Sequence, residues 1–240
     1  MNWRHGVLYF SALCLAAALA ASPAQAQTRV GEAAVIQNQV VRVTGSATSP
    51  INVGDGVLRD EVVHTGLDSA ARLVMIDSTN LSMGPNATLK LDRTVFNDAT
   101  TYRDIAIRLT TGAFRFVTGH SDKTAYRITT SLATIGVRGT VLDILSQRGR
   151  TTVGLQGGEA QVCTTGGQCI DLTLPGDTAV ITSTGGKVTI HKTNNPPWTF
   201  AANCAAAAGL CTVTQYADAT PTVEPPVDDG SDPTGMLCGR

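Results

Sequence analysis

Leu81-Ser82-Met83-Gly84-Pro85-Asn86-Ala87-Thr88-Leu89-Lys90-Leu91 decides the fold class. Apolar side chains recur at every second position on both sides of Gly84-Pro85-Asn86, a tripeptide suited to a turn. The stretch therefore reads as two short strands, each with one face packed and one face wet. Outward from it the pattern continues, with Val40, Leu73 and Met75 before it and Ile105, Ile107, Leu109, Phe114 and Phe116 after it. Between Val30 and Lys192 the apolar runs are interrupted at Asp55-Gly56, Gly119-His120-Ser121-Asp122, Gly157-Gly158, Gly166-Gly167 and Gly185-Gly186, each read as a turn. No amphipathic stretch of helix length intervenes. The expectation is an all-β protein of many short strands, about four to seven residues each, in a β-solenoid-like or sandwich arrangement.

The chain ends set further bounds. Arg4 and His5, an apolar run from Val7 to Ala21, and Ser22-Pro23-Ala24-Gln25-Ala26 read as a secretory signal peptide over 1–26, cut after Ala26. The bulky Leu13 before Cys14 argues against a lipid anchor. No second apolar stretch of membrane-spanning length follows, so no span is expected after cleavage, and the protein is expected in the periplasm or outside the cell. The β domain is expected over 27–192, a short helical cap over 193–213 and a disordered Pro- and Asp-rich tail over 214–240. Without Arg4 the chain holds 17 basic and 19 acidic residues, formal charge −2, with no basic cluster. That balance offers no footprint for nucleic acid.

Cys163 and Cys169 flank Thr164-Thr165-Gly166-Gly167-Gln168 and are expected to close a hairpin by a disulfide in an oxidising compartment. Cys204, Cys211 and Cys238 then supply one pair and one odd thiol, with the pairing open. No Cys-x-x-Cys and no close His pair suggests a metal site, and no phosphate-binding glycine loop suggests a nucleotide, so no cofactor is expected.

Several segments, in order, are similar to the FecR domain, the extracytoplasmic module of bacterial iron-uptake regulators. Arg59-Asp60-Glu61-Val62-Val63-His64-Thr65-Gly66 with Asp68-Ser69-Ala70-Ala71-Arg72-Leu73 resembles its opening; Leu81 to Leu89 resembles its apolar Gly-Pro stretch. Leu109 through Gly112 to Phe116 resembles its Leu-x-x-Gly-x-x-x-Phe strand pair, and Val137-Arg138-Gly139-Thr140 is its most specific signature. Gly158-Glu159-Ala160-Gln161-Val162 and Leu172-Thr173-Leu174-Pro175-Gly176 extend the resemblance to about residues 54–178. Arg59 stands where the family usually has Gly, and Asp77-Ser78-Thr79 replaces its Asp-Gly-Ser/Thr turn. The resemblance implies a β-rich domain outside the cytoplasmic membrane. Because family regulators place an anti-sigma helix bundle and a membrane helix before this domain, direct sigma-factor control is not carried over.

Arg138 is the residue to single out, with up to five hydrogen bonds to donate. Its structural reading is a buried tie between carbonyls and a carboxylate of adjacent β turns, with Gly136 and Gly139 allowing close backbone approach; Arg138→Ala should then lower thermal stability sharply. His64, His120 and His191 show no ligand spacing. Gly119-His120-Ser121-Asp122 contains the residue types of a serine triad, but neighbours in one turn cannot adopt its geometry. Asp55, Asp60, Asp77, Asp92, Asp98, Asp104 and Asp122 suit turn-forming roles. Trp198 and Phe200 read as a cap on the end of the sheet, or as a partner anchor.

Three functions fit. The first is a non-enzymatic binding module for an envelope protein or a cell-wall glycan, a protein partner adding as a strand at the edge near Val188 and Ile190. The second is a structural or adhesin-like surface protein. The third is a hydrolase acting on glycans through carboxylates that the fold assembles.

Overall fold

The computed structural model describes residues 28–201. The chain runs through β1 (Arg29–Gln37), β2 (Val40–Thr44), β3 (Ala47–Pro50), β4 (Gly56–Leu58) and β5 (Val62–Thr65). It continues through β6 (Ala70–Met75), β7 (Asn80–Met83), β8 (Thr88–Phe96), β9 (Tyr102–Val117) and β10 (Tyr126–Thr129). β11 (Ala133–Gln147), β12 (Arg150–Thr164), β13 (Cys169–Leu172), β14 (Thr178–Thr184) and β15 (Lys187–Thr193) follow. All fifteen belong to one hydrogen-bonded sheet, antiparallel except where β10 runs beside β9. A coil of stacked turns would be mainly parallel; this pairing is that of a sandwich.

One sheet makes two layers because three long strands turn a corner. The first layer runs β4-β1-β6-β7, then the C-terminal half of β9, the C-terminal half of β11, the N-terminal half of β12, β14 and β15. The second runs β3-β2-β5-β8, then the N-terminal half of β9, β10, the N-terminal half of β11, the C-terminal half of β12, and β13. Strands that switch layers through bends are how such sandwiches make corners. The expectation of uniformly short strands fails here: β9, β11 and β12 have 16, 15 and 15 residues. Gly157-Gly158, read as a turn, lies inside β12 at its bend, and Gly112 is the bend of one strand rather than a loop between two.

Period-2 alternation sends one set of side chains between the layers. Val40, Leu73, Met75, Leu81, Met83, Leu89, Leu91, Ile105, Ile107, Leu109, Phe114 and Phe116 are each at most 3% exposed and share one cluster. Each large apolar side chain so buried contributes roughly 1.5–3 kcal/mol before ordering costs. Gly166-Gly167 and Gly185-Gly186 reverse the chain as expected, whereas Gly84-Pro85-Asn86 does not: β7 and β8 on either side of it both run antiparallel to β9, so it is a corner that carries the chain from the first layer to the second.

Most of the expected cap helix lies outside the described residues, as does the tail. Its described beginning, residues 194–200, is not helical. It crosses the outer face of the first layer as a strap, and Trp198 and Phe200 cover that face rather than an open end.

Candidate functional site

The signature Val137-Arg138-Gly139-Thr140 forms the corner of β11. Alternation points Val137 into the core, at 3% exposure, and Arg138 outward. Gly139 takes φ of +64°, a left-handed conformation that turns the strand, and the register with β12 shifts just beyond Arg138. Thr140 ties the bend. Its Oγ1 accepts from the Arg138 amide at 2.9 Å and donates to the Glu159 carbonyl at 2.7 Å, while its amide donates to Thr118 Oγ1 at 2.7 Å. The close approach expected of Gly136 and Gly139 occurs instead at Gly158, where a Cβ would lie 1.8 Å from the Gly139 carbonyl oxygen.

Arg138 is not a buried tie. Its side chain is exposed and makes no hydrogen bond or ion pair with a described residue. An outward strand position has no turn carbonyls within reach, which is why the sequence reading fails. Arg138 instead borders a groove of about 430 Å³ on the outer face of the second layer. Gly136 leaves its floor bare, with nothing within 4 Å of where a Cβ would stand. Lys123 and Arg138 supply positive charge, and Glu159 and Asp171 negative charge. Gln161 Nε2 donates to Asp171 at 3.0 Å. Farther along the same hairpin Cys163 and Cys169 stand directly opposite one another with sulfurs 2.06 Å apart, a disulfide.

The buried arginine is Arg115. It projects to the outer face between Phe114 and Phe116, and its Nε and Nη2 donate to the two Asp143 carboxylate oxygens at 2.6 and 2.8 Å. Arg115 and Asp143 are 2% and 1% exposed because the strap lies over them. Phe200 stacks 5.3 Å from the guanidinium, and its amide donates to Asp143 Oδ2 at 3.2 Å. The only sequence signal was a pair of opposite charges at outward positions of two strands; neither their adjacency nor the strap can be read from spacing.

Other singled-out residues stay apart or serve the scaffold. Ser121 Oγ and the Tyr126 hydroxyl each donate to Asp77 Oδ2 at 2.6 Å, and the Thr79 amide donates to Asp77 Oδ1 at 3.0 Å. Burial first, then the bond to Asp77, raises the Tyr126 hydroxyl above its ordinary pKa. Among the described residues the His120 ring reaches the Asp77 carbonyl, at 3.2 Å, and neither Ser121 nor a carboxylate, so Gly119-His120-Ser121-Asp122 forms no triad. Asp55, Asp98 and Asp122 accept backbone amides of their own turns, while Asp92 and Asp104 pair with Arg108 and Arg93. His64 pairs with Thr88 Oγ1 at 2.7 Å. No group of three metal-ligating side chains occurs among the described residues. No helix of the described residues is long and apolar enough to cross a membrane.

The sheet leaves edges at β3, β4, β13 and β15, each paired on one side only among the described residues. β15 follows β14 through Gly185-Gly186, both at positive φ, a two-residue turn of the hairpin kind. The flanking pair Thr184–Lys187 is then hydrogen-bonded, and alternation turns the amides of Val188 and Ile190 outward to the free edge. At the far end Lys192 pairs with Asp177 at 2.7 Å and donates to the Asp171 carbonyl at 3.0 Å. Burial works against the Asp177 charge, yet Lys192 and the Thr173 and Leu174 amides hold its carboxyl below the usual range.

Corner strands shared by two layers, with Val137-Arg138-Gly139-Thr140 at the bend, define an antiparallel all-β domain class. Residues 61–161 match the family model described as FecR protein, and the chain carries a FecR domain over that stretch. Two crystal structures of a candidate anti-sigma factor from Parabacteroides distasonis ATCC 8503, at 1.65 and 2.50 Å, are similar in part. Each is 13% identical with a TM-score of 0.44, and the match covers 54% of this chain and 58% of that one. No curated protein matches the chain.

Proposed function

We propose that this FecR domain is a non-enzymatic, extracytoplasmic binding module that takes an envelope protein by strand addition along β15. One observation carries the reading: Val188 and Ile190 direct their amides to an edge that pairs with no further strand among the described residues, while their half-buried side chains hold that edge against the core. Main-chain pairing gives affinity there and flanking side chains give selectivity. The signal-like N-terminal segment and the exposed disulfide support an oxidising compartment outside the cytoplasm. The test is capture from an envelope fraction by the wild type, Val188→Pro and Ile190→Pro. Proline removes an outward amide without breaking the ladder to β14, so captured partner should fall while melting temperature holds. Undiminished capture by both variants excludes this edge.

A second reading rests on the groove at Arg138. Its mixed charge and bare floor suit the hydroxyls and amides of a cell-wall glycan. Retention on isolated cell wall that is lost in Arg138→Ala and kept in Val188→Pro would favour it over the edge.

A further inference from the structure

We propose that the outer face of the first layer is a second docking surface, one that takes an extended peptide with two aromatic residues separated by one position. In this chain Trp198-Thr199-Phe200 occupies it in cis. The occupant's chemistry is read from the strap itself. Phe200 drops beside the small side chains Ala70 and Ala113 to 1% exposure, with Val35, Leu145 and Trp198 packed around it. The Phe200 amide bonds to Asp143 and its ring covers Arg115.

A cap evolved only to hide apolar surface would sit on apolar side chains alone, whereas this one covers Val35, Ala70, Ala113 and Leu145 together with polar groups. Beneath it an outward row runs Arg72, Ser82, Arg115 and Asp143 across β6, β7, β9 and β11, and Gln156 Nε2 also donates to Asp143, at 3.2 Å. The apolar side chains account for a cover, but this polar row does not call for one; what the face offers besides is a small pit for a ring and a carboxylate for an amide. A buried ion pair contributes little net stability, and specifying a partner is among its better-attested uses.

The cis occupant is also an imperfect fit. Trp198 Nε1 and Arg72 Nε are buried without an acceptor among the described residues. The strap forms no ladder with the sheet, and Pro196 and Pro197, which lack amide hydrogens, join it to β15. Those features suit a segment that can be exchanged for another of the same kind.

The probe is a fluorescein-labelled peptide of residues 194–201, Asn-Asn-Pro-Pro-Trp-Thr-Phe-Ala, read by anisotropy against the full chain. The Trp198→Ala/Phe200→Ala variant should bind it saturably, and the wild type, whose site is filled in cis, at least ~10-fold more weakly. Adding Asp143→Ala to the double variant, or replacing the probe's phenylalanine by alanine, should abolish binding. No saturable binding to a folded variant overturns the proposal, as does equal binding of a scrambled peptide. If the double variant does not fold, Phe200→Ala alone takes its place; if that too is unfolded, the strap is a core element and the proposal fails.

Discussion

Replacing Gly158 by alanine tests whether the corner of β11 and β12 is built as described. The new Cβ would stand 1.8 Å from the Gly139 carbonyl oxygen, 2.7 Å from its carbon and 2.9 Å from Thr140 Cα, all main-chain atoms that no rotamer can clear. Gly158 also holds φ at +78°. A left-handed alanine costs about 1–2 kcal/mol and forced backbone movement about 1–3, together about 2–5 kcal/mol. Against a total of about 5–15 kcal/mol that is a large share. With a urea slope of about 2 kcal/mol/M, the midpoint should fall by about 1–2.5 M with the slope unchanged. Gly136→Ala is the control: its Cβ meets nothing within 4 Å, and its effect should stay within about 0.5 kcal/mol. If the two variants melt alike, the two strands do not cross as closely as stated.

Three further outcomes follow from the same contacts. Arg138→Ala should change stability by less than about 0.5 kcal/mol, because its side chain is exposed and bonds to no described residue; a large drop in thermal midpoint would restore the buried-tie reading. Asp143→Ala should cost about 3–5 kcal/mol by leaving Arg115 charged and buried, whereas Arg115→Met with Asp143→Leu should be close to neutral, a contrast that denaturant titration of the three chains checks. Glu61 is fully buried and burial, opposed by the Leu58 amide and by Arg42 at 3.3 Å, raises its carboxyl above the usual range. A raised folded-state value favours the protonated form, so that contribution is whole below the unfolded pKa, about 4.3, and is lost as pH climbs through the folded value. Glu61→Gln should therefore gain on the wild type as pH rises above the unfolded value of about 4.3, and parallel stability curves would refute the assignment.

The one-sided apolar positions were legible because burial between two layers imposes a period of two, and Val40 through Phe116 obey it. The long strands were not legible. Glycine at positive φ serves a chain reversal and a strand corner equally, so Gly185-Gly186 and Gly158 look alike in sequence, although one ends a strand and the other bends it. Val137-Arg138-Gly139-Thr140 could be located but not interpreted, since exposure of Arg138 follows from which face of β11 looks outward. Arg115 was passed over for the converse reason: its outward position becomes buried only because residues 194–200 return across β11 and β9, a long-range event with no local signature.

The three corner strands also determine how the molecule responds to whatever it holds. Since β9, β11 and β12 each run through both layers, neither layer can open while the other stays intact, and heat or denaturant should find one cooperative transition. A ligand at the β15 edge, in the Arg138 groove or under the strap therefore stabilises the whole domain, by RT ln(1 + [L]/Kd), and not the patch it touches. Occupancy at any one of these surfaces would raise a single melting temperature and slow amide exchange at residues far from the contact.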